Sequence, residues 1–307
     1  PTCLAFAMLL SNQKAKIEDC PHVKQEAKET LAEASAPPVK TIEVDGIKMG
    51  GETVLYRHER RFNNPIAYAL TVSDKLDSAA VAERVAYIQS ISFDRVGMIF
   101  KVDMVSVRND SGDADEFARV VKEVSDAWKG PLAIESTDAA CVEAALRATD
   151  RKPLIYGADK DRLESYVKLA KDNKCSLALI CDGPEGAVEM VEATEKLGFT
   201  DIILDLSTQN LKETLEEQTV VRRAAIKKKF KPFAYPMMNR VGYGEYAVAT
   251  AVMSTLKYGS LVIFDDLKNY EALPLFTLRQ NIYTDPQVPI QVKQDLYPIG
   301  NPDEHSP

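Results

Sequence analysis

The stretch Ser176–Leu206, SLALICDGPEGAVEMVEATEKLGFTDIILDL, decides the fold. An apolar run, Ser176–Cys181, meets a turn at Asp182-Gly183-Pro184. Apolar residues then recur at helical spacing over Pro184–Leu197, and Gly198 ends the pattern. A second apolar run, Asp201–Leu206, follows. Two short strands joined by an amphipathic helix make a βαβ unit, and such a unit places the strands parallel.

The same rhythm extends in both directions. Upstream, strands are expected at Ile66–Ser73, Asp103–Arg108, Leu132–Glu135 and Pro153–Tyr156. Their helices are expected at Ser78–Ile91, Asp115–Trp128, Thr137–Thr149 and Lys160–Asp172. Downstream, helix Leu211–Lys229 leads to strand Lys231–Tyr235, helix Glu245–Tyr258, strand Ser260–Phe264 and a last helix near Leu273–Asn281. About eight βα units in roughly 220 residues predict a closed (β/α)8 TIM barrel over residues 65–289. An open doubly wound sheet fits less well, because no Gly-rich phosphate loop follows the first strand.

Ahead of the barrel the character changes. Pro1 to about Glu33 reads as helical, broken at Cys20-Pro21 and resumed over Val23–Ala34. Ala36-Pro37-Pro38 stops it. Thr41–Gly46 and Met49–Tyr56 then suggest a β-hairpin with Asp45-Gly46 in its turn. The expected organisation is a small N-terminal part (1–35), a connector with the hairpin (36–64), the barrel (65–289) and a polar, Pro-rich linker (290–307). The first residue is Pro1 rather than Met, which reads as a processed chain or a piece of a larger one.

Composition narrows the function. Of 307 residues, 45% are apolar and 27% charged, as in an ordinary folded protein. A net charge of −8 argues against nucleic-acid binding through a general phosphate-neutralising surface. No apolar run approaches the roughly 18 residues of a membrane span. Cys3–Leu10 lacks the preceding positive region of a signal peptide, so a cytoplasmic location is expected.

Barrel chemistry gathers at the C-terminal ends of the strands. Those ends offer Asp74, Asn109-Asp110, Glu135-Ser136, Asp159, Asp182, Asp205-Ser207, Asn239 and Asp265-Asp266, an acidic rim. Paired carboxylates there could do acid–base work or hold a divalent metal, but capping of the following helices is the plainer role. The three histidines, His22, His58 and His305, all fall outside the barrel, so no Ser-His-Asp or His-zinc site is expected in it and no catalytic residue is assigned. Cys141, Cys175 and Cys181 sit in apolar patterns and are expected in the core. Cys3 and Cys20 each adjoin a proline-broken turn, a setting that suits iron–sulfur ligation, although a cluster needs about four ligands. Arg222-Arg223 with Lys227-Lys228-Lys229 forms a basic cluster, expected to be a solvated helix end and, more sharply, a docking patch for an acidic partner.

At these residues the chain resembles a known family. Pro1-Thr-Cys3-Leu-Ala-Phe-Ala-Met8 with Cys20-Pro21 looks like the second half of the iron–sulfur motif of corrinoid/iron–sulfur protein large (gamma) subunits of the acetyl-CoA decarbonylase/synthase system. The resemblance continues through Gly50–Glu59, Lys227–Pro232 and Tyr258-Gly259, and is strongest in Leu273–Gln287 and Ile299–Glu304. It implies an N-terminal [4Fe–4S] domain, with Cys3 and Cys20 as two of four metal ligands, a TIM barrel, and a C-terminal domain that binds a cobalt corrinoid. The other two cysteines would precede Cys3 and the corrinoid domain would follow Pro307. It implies a methyl carrier of the reductive acetyl-CoA pathway, taking a methyl from a methyltetrahydropterin and delivering it to acetyl-CoA synthase. The cluster would reactivate oxidised cobalt. The implied partners are a small subunit in a heterodimer, a methyltetrahydropterin methyltransferase and acetyl-CoA synthase. Two other functions compete: a stand-alone barrel methyltransferase holding a pterin with Asn109, Asp182 and Asp205, and a purely structural subunit.

Overall fold

The computed structural model describes residues 2–11, 15, 19–20, 37–95, 98–206, 210–243, 245–286 and 288. Helix α1 (Cys3–Ser11) comes first. A two-stranded hairpin follows, β1 (Thr41–Val44) and β2 (Ile47–Gly50). Asp45 and Gly46 both take positive φ, 45° and 93°, as the expected two-residue turn requires.

The barrel begins with β3 (Ala67–Ser73) and α2 (Ser78–Ser90). A second hairpin, β4 (Ser92–Arg95) and β5 (Met98–Lys101), precedes β6 (Met104–Arg108). Then come α3 (Ala114–Ala127), β7 (Leu132–Glu135), α4 (Ala139–Arg147), β8 (Leu154–Ala158) and α5 (Leu163–Asn173). The remaining units are β9 (Leu177–Ile180), α6 (Gly183–Lys196), β10 (Ile202–Asp205), α7 (Leu211–Lys227) and β11 (Met237–Val241). The chain closes with α8 (Glu245–Leu256), β12 (Gly259–Phe264) and α9 (Asn269–Tyr283). Strands β3, β6, β7, β8, β9, β10, β11 and β12 close into one parallel barrel, as expected, and β12 pairs with β3 from Leu261↔Ala67 to Phe264↔Leu70.

Alternation along the strands sorts the core into two layers. Outward residues such as Tyr68, Leu70 and Val72 pack against the helices in the larger cluster. Inward residues Ala67, Ala69, Met104, Ala133, Leu154, Ala178, Ile203, Met238, Leu261 and Ile263 fill the barrel. Ile42, Val44 and Met49 of the first hairpin belong to that inner cluster, so the hairpin plugs the N-terminal end of the barrel. Gly50 and Gly51 (φ 82° and 80°) turn the chain away from the plug. A Cβ on Gly50 would sit 2.2 Å from the Lys40 carbonyl oxygen.

Two sequence expectations need correction. The seventh strand is Met237–Val241, not Lys231–Tyr235. Lys231–Phe233 is a 3-10 turn with Pro232 at its start, and a proline there cannot donate to a strand ladder. The hairpin β4–β5 was not anticipated. Of the N-terminal segment, Cys3–Ser11 is helical. Val23–Ala34 and 290–307 lie outside the described residues.

Candidate functional site at the mouth of the barrel

The upper inward positions of the strands are polar, in contrast to the apolar floor. Thr71 and Ser73 come from β3, Ser106 and Arg108 from β6, Glu135 from β7, Tyr156 from β8, Asp205 from β10 and Arg240 from β11. Asp265 follows β12. Tyr156 and Asp205 bond to each other, and the remaining groups, with Asp110, form a hydrogen-bonded lattice across the barrel axis.

Arg240 is its centre. Its Nε donates to Glu135 Oε2 at 2.8 Å and its Nη2 donates to Asp265. Arg108 donates from Nη1 to the same Asp265 oxygen and from Nε to Asp110 Oδ1 at 2.8 Å. Ser73 donates to the other Asp110 oxygen, and Ser106 donates to Glu135 Oε1. Tyr156 donates to Asp205 Oδ2 at 2.5 Å. Glu135 and Asp205 are buried, as carboxylates can be only when paired.

The electrostatics follow from that pairing. Burial works against the charge of Arg240, but Glu135 and Asp265 outweigh it and hold the guanidinium protonated more firmly than usual. Burial likewise disfavours charge on Asp110, yet Ser73 and Arg108 hold its carboxyl below the usual carboxylate range. Burial, then the neighbouring Asp205 carboxylate, push the Tyr156 phenol well above its ordinary value. Tyr156 is therefore a neutral donor at every physiological pH.

Beside the lattice, Arg84 from α2 clamps the seam where the barrel closes. It donates to the Thr71 carbonyl at 3.2 Å, to the Asp265 carbonyl at 2.8 Å and to Asp266 Oδ1 at 2.9 Å. Burial opposes ionisation of Asp266, but Lys268 and Arg84 prevail and lower its pKa.

The acidic rim expected from the sequence is thus only partly a cluster. Glu135, Asp205, Asp110 and Asp265 meet at the mouth. Asp74 instead accepts from the Asp110 and Ser111 backbone N–H groups at 2.8 and 2.9 Å, tying down the β6–α3 loop. Asn109 donates to Ser136 Oγ and accepts from Gly112 N, both at 2.9 Å. Asp159 is held by Arg162. Asp182 is exposed at the N-terminus of α6 with no side-chain cap bond. Asn239 does not face the mouth: it points outward between the helices, accepting from Gln218 of α7 and Ser254 of α8 at 2.5 and 2.6 Å. Ser207 lies outside the described residues.

Nor do most of these carboxylates cap helices, as the sequence suggested. The caps are Asp77, Asp113, Asp138 and Asn210, several residues beyond the strand ends. Strand-end side chains turn toward the axis, and the chain needs a loop before a helix can start.

Arg108, Arg240 and Tyr156 were missed in the sequence. An arginine inside an otherwise buried strand was the available signal, because it demands carboxylate partners.

The described residues do not make up a cluster site. Cys3 is exposed on α1 and Cys20 is half-buried. Among the described residues, no group of three or more His, Cys, Asp or Glu could hold a metal ion. Cys141, Cys175 and Cys181 are buried in the core, as expected. Among the described residues no helix is long and apolar enough to cross a membrane. The expected basic helix end also changes: Arg222 is buried, and its Nη1 donates to Glu52 Oε2 at 2.6 Å.

The fold and mouth define a TIM-barrel protein whose polar mouth is bridged by ion pairs of its own residues. The family described as CO dehydrogenase/acetyl-CoA synthase delta subunit matches residues 42–307, and the chain belongs to it. Along its whole length the chain is 38% identical to the corrinoid/iron-sulfur protein large subunit of Moorella thermoacetica, covering 70% of that protein. It is 32% identical, over all of this chain and 70% of the relative, to acetyl-CoA decarbonylase/synthase complex subunit gamma of Methanocaldococcus jannaschii. The corresponding protein of Methanopyrus kandleri is 34% identical over the same shares. Among solved structures, 7,8-dihydropteroate synthase from Vibrio fischeri matches with a TM-score of 0.54 and 11% identity, over 79% of this chain and 98% of that one. Dihydropteroate synthase from Coxiella burnetii, solved with pteroic acid, gives 0.54 and 11% over 80% and 98%. At that identity the likeness is one of fold.

Proposed function

We propose that this chain is the barrel-bearing large subunit of a methyl carrier working in the reductive acetyl-CoA pathway. In that role its assembly takes a methyl group from a methyltetrahydropterin and hands it to acetyl-CoA synthase. The observation that carries the reading is the end-to-end identity of 38% with a corrinoid/iron-sulfur protein large subunit. The partners would be a small subunit, a methyltetrahydropterin methyltransferase and acetyl-CoA synthase, all in the cytoplasm. The cobalt corrinoid supplies the methyl-accepting metal when bound, and a [4Fe–4S] cluster using Cys3 and Cys20 would keep that cobalt reduced.

The barrel's own residues support a scaffold role within that assembly. Arg240 is bonded to Glu135 and Asp265, Arg108 to Asp110 and Asp265, and Tyr156 to Asp205. Arg240 answers the buried Glu135 carboxylate and the neutral Tyr156 hydroxyl donates to the buried Asp205 carboxylate, which ties the strand ends together. Where a cofactor performs the chemistry, the protein supplies binding, orientation and electrostatics.

The competing barrel methyltransferase would use Asn109, Asp182 and Asp205 on a pterin. Asn109 is committed to Ser136 after β7 and to the Gly112 backbone of its own loop, and Asp182 faces solvent, which leaves Asp205 alone of the three pointing to the axis. Titration with a methyltetrahydropterin tests this directly: the carrier role predicts no tight binding by this chain alone.

The main test is anaerobic purification of the protein with its assembly. Corrinoid and iron–sulfur absorption are expected, together with methyl transfer to acetyl-CoA synthase that stops when this chain is left out. A colourless preparation, or transfer that continues without the chain, would overturn the proposal.

A further inference from the structure

The two hairpins share a cavity at the end of the barrel opposite the mouth. Each hairpin is a sheet of two strands only, so each of its strands keeps one unpaired edge. Ile47 and Lys48 of β2 line the cavity together with Met98, Ile99 and Phe100 of β5, and its volume is about 620 Å³. Buried Ile66 and Phe276 give it an apolar floor. The walls are fixed. Phe93 packs edge-on against Phe276, 6.1 Å between ring centroids, and Arg95 donates to Thr277 Oγ1 at 3.1 Å, which holds the β4–β5 hairpin on α9. Arg279 donates to the Ile66 carbonyl at 3.0 Å and to Asp103.

Ladder geometry says which backbone groups are open. A two-residue turn closes on a hydrogen-bonded pair, here Val44↔Ile47 and Arg95↔Met98. The next pairs, Glu43↔Lys48 and Asp94↔Ile99, therefore aim their N–H and C=O groups away from the partner strand. Lys48 and Ile99 thus each offer a donor and an acceptor on the free edges of β2 and β5. The β2 edge is already used once in this way: the Gly50 carbonyl accepts from Asn64 Nδ2 at 2.7 Å, and Asn64 lines the cavity. Ile99 is 68% exposed, an apolar side chain left beside an open edge.

The charge of this end is positive on a chain of net charge −8. A second cavity of about 550 Å³ shares Gly46, Ile47 and Asp103 with the first and adds Lys101 and Lys129. Both acids of this trough are answered from within the chain, Asp45 by Arg151 at 2.7 Å and Asp103 by Arg279. Lys48, Lys101 and Lys129 are exposed, and among the described residues none of them has a carboxylate within salt-bridge distance.

We propose that this trough is a docking site for an extended acidic segment of a partner polypeptide, which pairs its backbone with the open edges of β5 and β2 and sets its carboxylates against Lys48 and Lys101. Addition of a strand to an exposed sheet edge draws affinity from main-chain hydrogen bonds, and the flanking side chains choose the sequence. A small anion would leave the strand edges and the apolar floor unused. A second copy of this chain would bring the same lysines against each other. The inference rests on the trough and not on the methyl-carrier role.

Fluorescence polarisation with the full chain tests it, using a labelled peptide of alternating Glu and Val. A Kd below about 1 mM is expected, with a Lys–Val peptide of equal length at least about tenfold weaker. The pair Lys48→Glu, Lys101→Glu should weaken the acidic peptide by at least about tenfold, and Ile99→Pro, which deletes an edge N–H outside the ladder, should do the same. Should Ile99→Pro unfold the hairpin, an N-methylated form of the same peptide still decides the matter, since it keeps the charge and loses the amide donors; it should not bind. Amide exchange in 47–50 and 98–101 should slow when the acidic peptide is added. Absence of binding, equal binding of the Lys–Val or N-methylated peptide, or binding indifferent to the lysine substitutions overturns the proposal. Slowing of exchange at these edges with protein concentration alone would show a second copy there, and overturns it as well.

Discussion

Arg222→Met offers the sharpest stability test. The guanidinium is 1% exposed and Glu52 is 5% exposed, so both charges are out of water. Arg222 donates to Glu52 at 2.6 Å and to the Tyr258 carbonyl at 2.9 Å, with the Tyr258 ring 5.7 Å away. Removing one partner of a buried pair costs about 3–5 kcal/mol, chiefly because the other charge is left unpaired. For a protein of this size each kcal/mol moves the melting temperature by about 2–4 °C. Circular dichroism at pH 7 should therefore show a fall of roughly 6–20 °C. Replacing both partners, Arg222→Met with Glu52→Leu, removes the stranded charge and should recover most of the loss. A single-variant loss below about 1 kcal/mol, or a double variant no better than the single, would refute the reasoning. The pair joins the segment after the plug to α7, so the single variant should also speed amide exchange around Glu52.

Other outcomes are equally definite. Gly157 (φ 143°) lies at a register shift in β8, and a Cβ there would stand 1.8 Å from the Ser136 carbonyl oxygen; Gly157→Ala should cost more than about 2 kcal/mol in urea unfolding. Tyr156 has a folded pKa raised by burial and Asp205, so its stabilising effect is complete below pH 10 and fades as pH rises through the folded value. Comparison with Tyr156→Phe should show that excess lost only in alkaline denaturation scans, and a difference that grows on acidification would contradict it. Cys3 is exposed, whereas burial pushes the Cys175 thiol up to about 11 and raises Cys141 and Cys181 as well. Mass mapping after brief iodoacetamide treatment of cluster-free protein should find Cys3 labelled and those three untouched until the chain is unfolded. Met49→Ala should destabilise the barrel by about 2–5 kcal/mol, because a fully buried plug residue is removed; no change in the urea midpoint would mean the hairpin does not seal the floor.

The barrel was legible because its strands are buried on both faces and read as apolar runs between amphipathic helices. β11 was misplaced for the same reason in reverse. Met237–Val241 carries Asn239 and Arg240, which break the apolar pattern, while Lys231–Tyr235 looked apolar enough to serve. The acids of the mouth were visible at strand ends, but not their fate. Whether a strand-end carboxylate turns inward, as Asp205 does, or ties a loop, as Asp74 does, depends on register that only the closed barrel sets. Arg222 looked like part of a solvated basic end, and its burial depends on Glu52, 170 residues away in sequence. Long-range pairing of that kind leaves no periodic trace.

The plug has a consequence for how this barrel could be exchanged or trimmed. Residues 41–50 sit in the same apolar cluster as the first inward residues of the strands, although Ile66 is the sequence's natural point of entry to the barrel. A chain started at residue 65 would keep all eight strands and lose its cork. Water would then reach Ala67, Met104, Leu154 and Met238 from below, and the hole would invite a foreign hydrophobic segment or a second molecule. Grafting this barrel onto another scaffold thus means carrying the hairpin along, as a key must travel with its lock.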